Sequence, residues 1–127
     1  MADASHIRDV LERYPKLLSD GDAAAIVALY ADDATIEDPV GAPAHAGREA
    51  IARFYEASAG KVLMKITGPV RVAGDEAAAP FRVLVGPEGS RKVIDVIDVM
   101  RFDVAGRITS MRAFWSPDAI RSATADD

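Results

Sequence analysis

Two aspartates, Asp95 and Asp98, lie in one stretch rich in β-branched residues, from Val93 to Phe102. This composition, followed by a turn over residues 103–106, predicts a central strand. Because side chains alternate along a strand, the two carboxyls must point to opposite faces. Asp95 shares its face with arginines, whereas Asp98 has only apolar neighbours on its own: Ile94, Val96, Met100 and Phe102. Burial disfavours the charged form, so Asp98 is expected to stay protonated and able to donate a hydrogen bond.

Asp38 is a second candidate acid. The segment Ala34–Asp38 predicts a short strand stopped by Pro39, and alternation places Asp38 on the same face as Ile36, which we expect to point inward. Proline favours an extended conformation in the residue before it, which sets the direction of the carboxylate. A loop over residues 40–47 follows at once, so the Asp38 carboxylate is expected to ionise and can reach a cavity.

Tyr14 is the third candidate. It lies on the apolar stripe of a predicted amphipathic helix, in which Pro15 is expected to cause a kink near Leu11–Tyr14. A buried tyrosine hydroxyl needs a partner inside the protein. The stripe has helical spacing and comprises Ile7, Val10, Leu11, Tyr14, Leu17 and Leu18.

A structural role is the alternative for each of these residues. A backbone amide or a hidden arginine would satisfy a merely structural Asp98, since structural networks also perturb acids. Asp38 would cap its loop, and Tyr14 would be a core residue whose hydroxyl bonds to a carbonyl. The strand and helix patterns leave these alternatives open.

The elements that must position these residues follow an α+β order. Helical spacing covers residues 7–18, 23–31 and 48–59, and a period of two then covers residues 62–73, 77–85, 93–102 and 107–115. We expect one domain over residues 1–127. In it, three N-terminal helices pack on a curved, mainly antiparallel β-sheet and leave a conical pocket.

Composition excludes several functional classes. The formal net charge of −5 and the scattered basic residues argue against a nucleic-acid or anionic-membrane partner. The chain has no cysteine, and its two histidines, His6 and His45, lack ligand spacing, so we expect no metal. The first residues lack an apolar signal core, and no apolar run reaches membrane-spanning length, which predicts a cytoplasmic protein.

Several segments together resemble the bacterial steroid delta-isomerases (ketosteroid isomerases), of nuclear-transport-factor-2-like fold. The longest are Asp-Val-Ile-Asp-Val-Met-Arg-Phe-Asp at 95–103 and Tyr-Ala-Asp-Asp-Ala-Thr at 30–35. Shorter ones are Glu-Arg-Tyr at 12–14, Gly-Arg-Glu at 47–49 and Phe-Trp-Ser at 114–116. The likeness keeps the same order from about Ile7 to Ser116. The fold hosts many functions, so the segments carry the inference rather than the fold.

The resemblance implies roles for individual residues. Asp38 would be the general base, and Tyr14 with a protonated Asp98 would form the oxyanion hole, a known feature of this family. Tyr30 and Tyr55 would support the catalytic tyrosine by hydrogen bonds. Apolar pocket positions would be Phe54, Phe81, Val83, Met111 and Trp115.

The implied reaction moves the double bond of a β,γ-unsaturated 3-oxosteroid into conjugation through a dienolate. One carboxylate shuttles the proton, two donors stabilise the oxygen anion, and no cofactor is needed. The resemblance also implies a homodimer. Two alternatives remain: a non-catalytic binder of steroids or other apolar molecules, and a polyketide or terpenoid cyclase or hydrolase. The second would need other polar groups in the pocket, such as a histidine, and neither His6 nor His45 is predicted on an inward strand face.

Overall fold

Alternating apolar residues in the second half of the chain form most of one sheet. A computed structural model describes residues 1–127. The helices are α1 (Ala4–Asp20), α2 (Ala23–Val27) and α3 (Arg48–Ser58), with a short 3-10 helix at Pro117–Ala119. The strands are β1 (Tyr30–Glu37), β2 (His45–Ala46), β3 (Val62–Ile66), β4 (Arg71–Ala73), β5 (Glu76–Val85), β6 (Lys92–Phe102), β7 (Ile108–Phe114) and β8 (Arg121–Ser122).

The sheet is open and mixed. Its strand order is β2-β1-β7-β6-β5-β3, with β4 also paired to β5 and β8 to β6. Strands β5, β6 and β7 form an antiparallel meander, whereas β1 runs parallel to β7. The chain is thus an α+β fold with three helices on this sheet, and α1 contacts β3, β4 and β5 while α3 contacts β1.

The three helices precede the β3–β8 strands, but they are not consecutive, since β1 and β2 lie between α2 and α3, where the short strand Ala34–Asp38 is predicted. The second helix is shorter than predicted. Alanine-rich sequence favours helix up to Ala31, but α2 ends at Val27 and Tyr30 begins β1. The Leu29 carbonyl accepts a 2.9 Å hydrogen bond from the Ile108 amide, so pairing with β7 outweighs local helix propensity here.

Helix α1 continues through Pro15 and ends at Gly21, whose φ of 81° is left-handed. Ser19 donates a 2.8 Å hydrogen bond to the Pro15 carbonyl, and its hydroxyl oxygen accepts one of 2.9 Å from the Met64 amide. The serine therefore joins the helical turn after Tyr14 to strand β3. Gly21 also lies against Gly60, where a Cβ would approach the Gly60 Cα to 3.4 Å.

The predicted alternation along β6 is confirmed. Val96, Asp98, Met100 and Phe102 are buried on the helix-covered face, and Ile97 is half exposed on the other. Asp95 lies on that outer face and pairs with Arg82, its cross-strand neighbour, at 2.7 Å. Arg101, the arginine within β6, pairs with Glu76 instead. No helix is long and apolar enough to cross a membrane.

Candidate active site

A cavity of about 160 Å³ lies between the helices and the buried face of the sheet. Its polar lining includes the three residues singled out from the sequence, Tyr14, Asp38 and Asp98, together with Tyr55 and Ser58. The remaining lining is Leu18, Phe54, Val62, Met64, Val83, Val85, Ile94, Val96, Ala113 and Trp115. Residues from both ends of the chain thus meet around one space.

Asp98 lies at the centre of the sheet with small neighbours. Its cross-strand partners are Ala79 on β5 and Ala113 on β7, and Asp98 itself is only 3% exposed. Desolvation first, and the charge of Asp38 second, raise the pKa of Asp98 to about 8. No amide or arginine hydrogen-bonds the carboxyl, so the structural alternative lacks the partner it requires. A protonated Asp98 can therefore direct its O–H into the cavity.

Three tyrosines from three elements form a buried chain of hydroxyls. The Tyr14 and Tyr55 oxygens are 2.8 Å apart, and those of Tyr55 and Tyr30 are 2.6 Å apart. The partner of Tyr14 is thus a hydroxyl and not a carbonyl. Burial raises the pKa of Tyr14 and of Tyr55 well above the ordinary value. Tyr55 has one proton for two neighbours. If it donates to Tyr14 and accepts from Tyr30, the Tyr14 proton is free for a ligand.

Asp38 follows the last residue of β1 and accepts a 2.6 Å hydrogen bond from the Trp115 indole Nε1. Desolvation raises the pKa of Asp38, while the Trp115 hydrogen bond and, to a smaller extent, the charge of His45 lower it. The bond ties the carboxylate to the cavity wall rather than to its loop. The other carboxylate oxygen, Oδ2, has no partner within the protein and is available to a ligand proton.

The predicted apolar positions divide into two groups. Phe54, Val83 and Trp115 line the cavity, whereas Phe81 and Met111 are buried in the core and do not line it. The Phe81 ring packs edge-on against Tyr14, with centroids 6.3 Å apart. Met111 pairs with Met100 across β6 and β7.

Some functional features were missed from the sequence. Trp115 was expected only as an apolar wall, and its hydrogen bond to Asp38 joins positions 77 residues apart, for which no local pattern exists. Val62, Met64 and Val85 line the cavity as well. Alternation along β3 and β5 would have indicated these three positions, because Val62 and Met64 share one face of β3 and Val85 shares the face of Val83 on β5.

The histidines lie outside the cavity lining. His6 is in α1 and bonds the Gly106 carbonyl at 2.7 Å. His45 is in strand β2, where a loop was predicted, and its ring packs on Phe54 with centroids 4.9 Å apart. No group of three or more His, Cys, Asp or Glu side chains is arranged to hold a metal ion.

Comparison with known proteins places this geometry in a family. Residues 11–111 match the SnoaL-like domain family. A protein named steroid delta-isomerase from Nocardioides simplex is 46% identical over 114 residues, which are 90% of this chain and 93% of that protein. The chain belongs to the SnoaL-like family, in its steroid delta-isomerase group. The resemblance inferred from the sequence segments is therefore confirmed.

A solved structure extends the comparison. It is that of SalBIII, described as an epoxide hydrolase/cyclase-like enzyme with a role in pyran ring formation in the polyether salinomycin. It is 28% identical, with a TM-score of 0.87, and the match covers 97% of this chain and 100% of that one. The same fold thus occurs in a protein described with different chemistry, so the side chains of the site must distinguish the functions.

Proposed function

We propose that this protein is a steroid delta-isomerase that moves the double bond of a β,γ-unsaturated 3-oxosteroid into conjugation. The observation that carries the proposal is the pairing of two acids in one apolar cavity: Asp38 with a free carboxylate oxygen, and Asp98 with a pKa of about 8. The proposal assigns the charged form to Asp38, which the Trp115 hydrogen bond stabilises, and the neutral form at pH 7 to Asp98. The 46% identity to the Nocardioides steroid delta-isomerase supports the same reaction.

Asp38 acts as the proton shuttle. It removes the proton between the carbonyl and the double bond and returns it at the far end of the allylic system, so the net reaction is an isomerisation. A base for this task needs a pKa above that of an ordinary aspartate but below neutral pH. Desolvation raises the pKa of Asp38, and the Trp115 hydrogen bond keeps the rise limited.

Tyr14 and Asp98 form the oxyanion hole. Loss of the proton places negative charge on the substrate oxygen, and preorganised donors in a dry site stabilise that charge. Both groups keep their protons because burial raises the pKa of each. Tyr55 and Tyr30 orient the Tyr14 hydroxyl through the chain of hydrogen bonds.

The cavity walls suit a flat apolar substrate. Of the fifteen lining residues, twelve are hydrophobic when Tyr14 and Tyr55 are counted with them, and polar groups are few, as in sites that bind apolar ligands. The volume of about 160 Å³ is below the roughly 300–1,000 Å³ of typical ligand sites. A four-ring substrate must therefore displace half-buried side chains such as Met64 or project from the mouth.

A cyclase or hydrolase of the SalBIII type is the second candidate, because that protein has the same fold. Such enzymes commonly use a histidine or an Arg–Asp pair in the pocket, and neither a histidine nor an arginine lines this cavity. The third candidate, a non-catalytic carrier, accounts for the apolar walls. In a carrier, the two acids would serve only as hydrogen-bond anchors for the ligand.

The deciding experiment follows the ultraviolet absorbance of the conjugated enone after mixing the protein with a 3-oxo-Δ5-steroid. We expect rapid turnover by the natural protein. Asp38→Asn should reduce kcat by at least about 10²–10⁴-fold, the usual contribution of a general base, while steroid binding measured by equilibrium dialysis is retained. Asp33→Asn changes an exposed aspartate in the middle of β1 and should have no effect.

Three results would reject the proposal or part of it. Normal turnover by Asp38→Asn rejects the base assignment. Steroid binding without turnover by the natural protein favours the carrier. Opening of an epoxide substrate, with no change in the steroid, favours the hydrolase.

We also propose a homodimer formed through the outer face of the sheet. Ile97 is 50% exposed and lies between Pro80 on β5 and Phe114 on β7, which is 43% exposed. Three adjacent strands thus present one apolar patch to solvent, which is typical of an interaction surface. The resemblance to steroid delta-isomerases favours a second copy as the occupant.

We further propose that the protein works in the cytoplasm.

A further inference from the structure

The cavity has a polar end and an aliphatic end. Asp98 lies opposite Ala79 on β5, and Val85, six residues further along that strand, lines the same cavity. Six residues of strand span about 20 Å. Around Val85 the lining is aliphatic: Leu18, Val62, Met64 and Ile94. A ligand whose ketone meets Tyr14 and Asp98 therefore directs its other end into this region.

One polar side chain interrupts the aliphatic end. Ser58 is the last residue of α3, one helical turn beyond Tyr55, and it lines the cavity. Its backbone carbonyl accepts a 3.1 Å hydrogen bond from the Lys61 amide, directly before Val62, which pairs with Val85. These contacts place Ser58 at the opposite end of the cavity from Asp98.

The hydrogen bonding of Ser58 makes it an acceptor toward the cavity. Its hydroxyl donates to the Phe54 carbonyl at 2.9 Å, and this is its one side-chain hydrogen bond. A serine hydroxyl has one proton and two lone pairs, so the lone pairs remain for a ligand. A ligand hydroxyl can donate to them directly. A ligand ketone also offers only lone pairs, so Ser58 would have to give up its bond to Phe54 to serve it.

We propose that Ser58 determines specificity at the far end of the cavity by accepting a hydrogen bond from a hydroxyl on the ring most distant from the reacting ketone. The preferred substrate class is therefore a hydroxylated 3-oxosteroid, rather than a diketone or a steroid without a distal oxygen. This inference rests on the proposed function for the orientation of the ligand. Ser58 is remote from the reacting atoms, so its hydrogen bond holds substrate and transition state equally and changes KM rather than kcat.

The test uses three 3-oxo-Δ5-steroids that differ only at the ring carbon farthest from the ketone, which carries a hydroxyl, a ketone or no oxygen. Ser58→Ala should lower kcat/KM for the hydroxyl substrate by about 2- to 12-fold, through KM, and leave the other two unchanged. Ser58→Thr keeps the hydroxyl and should retain the preference. An equal loss on all three substrates, or no loss on the hydroxyl substrate, overturns the inference.

Binding of the corresponding conjugated 3-oxosteroids, measured by equilibrium dialysis, separates this inference from the proposed function. If the natural protein turns over none of the substrates, the isomerase proposal fails. The dissociation constants still test Ser58, because the hydroxyl ligand alone should bind more weakly to Ser58→Ala. Equal affinities of the natural protein and Ser58→Ala for that ligand overturn the inference whether or not turnover occurs.

Discussion

Asp38 and Asp98 are the same residue type in the same cavity, and their surroundings separate their chemistry. Asp98 has two alanines beside it and no hydrogen-bond donor, so its carboxyl loses hydration on burial and no protein hydrogen bond compensates for the loss. Asp38 has the Trp115 N–H at 2.6 Å, which stabilises its charged form. Burial and one hydrogen bond thus act differently on the two pKa values, in agreement with the proposed roles of Asp98 as donor and Asp38 as base.

The raised pKa values predict a bell-shaped dependence of kcat/KM on pH. The rate rises as Asp38 ionises, above the usual range of an aspartate. It falls above about pH 8, because Asp98 loses the proton that it donates. Asp98→Asn keeps an N–H donor that does not ionise, so the alkaline fall should disappear from the profile. Asp98→Ala, which lacks any donor, should lose about 10²–10³-fold in kcat. An unchanged alkaline limb in Asp98→Asn would assign that limb to another group.

At the scale of elements, the hydroxyl chain depends on α1, β1 and α3 together. The three tyrosines, Tyr14, Tyr30 and Tyr55, are far apart in sequence. The Tyr55 hydroxyl oxygen nevertheless lies 2.8 Å from that of Tyr14 and 2.6 Å from that of Tyr30. Ser19 ties α1 to β3 just after Tyr14, through the 2.9 Å bond from the Met64 amide. Tyr14, the proposed oxyanion donor, is thus held by packing of its helix on the sheet as well as by its own hydrogen bond.

Removal of the hydroxyls one at a time should give a graded loss of activity. Tyr14→Phe removes a donor to the substrate oxygen and should cost about 10²–10³-fold in kcat. Tyr55→Phe removes the group that orients Tyr14 and should cost less, and Tyr30→Phe, one step further away, should cost least. The kcat of each variant tests this ranking of losses, and urea unfolding of each variant is the stability control. A larger loss for Tyr30→Phe than for Tyr14→Phe would contradict the chain of support.

At the scale of the whole molecule, the two faces of the sheet differ in what they carry. The inner face holds the cavity, and the outer face holds the apolar patch of Pro80, Ile97 and Phe114. Arg112 lies over the Phe114 ring at 5.2 Å and borders this patch. Because neighbouring residues of β6 alternate between the faces, Asp98 lies directly behind the proposed dimer surface. A partner there would limit movement of the strand that carries the acid.

A charge introduced at Ile97, the centre of the apolar patch, tests the proposed dimer. We expect the natural protein to sediment as a dimer at micromolar concentration and Ile97→Glu to sediment as a monomer, because the carboxylate would be buried without a partner. Val104→Glu is the matched control, since Val104 lies in the β6–β7 turn and is 84% exposed. A natural protein that is monomeric under these conditions, or a dimeric Ile97→Glu, would place the interface elsewhere or reject it.

Sequence alone determined the features that depend on local periodicity. Alternation assigned Asp98 to an apolar inner face and Asp95 to the outer one, and helical spacing placed Tyr14 on a buried stripe, because side-chain direction repeats with the backbone. The end of α2 could not be predicted in this way. It depends on the Leu29 carbonyl meeting Ile108, a pairing partner almost eighty residues away.

Only the tertiary structure decided which groups meet. No local pattern specifies that the Trp115 indole meets Asp38, that the three tyrosines form a chain, or that Ser58 lines the same cavity. Phe81 and Met111 share inward faces with cavity residues, yet neighbouring side chains cover them. Periodicity gives the direction of a side chain, but the strands and helices that pack around it decide whether it reaches the cavity or remains in the core.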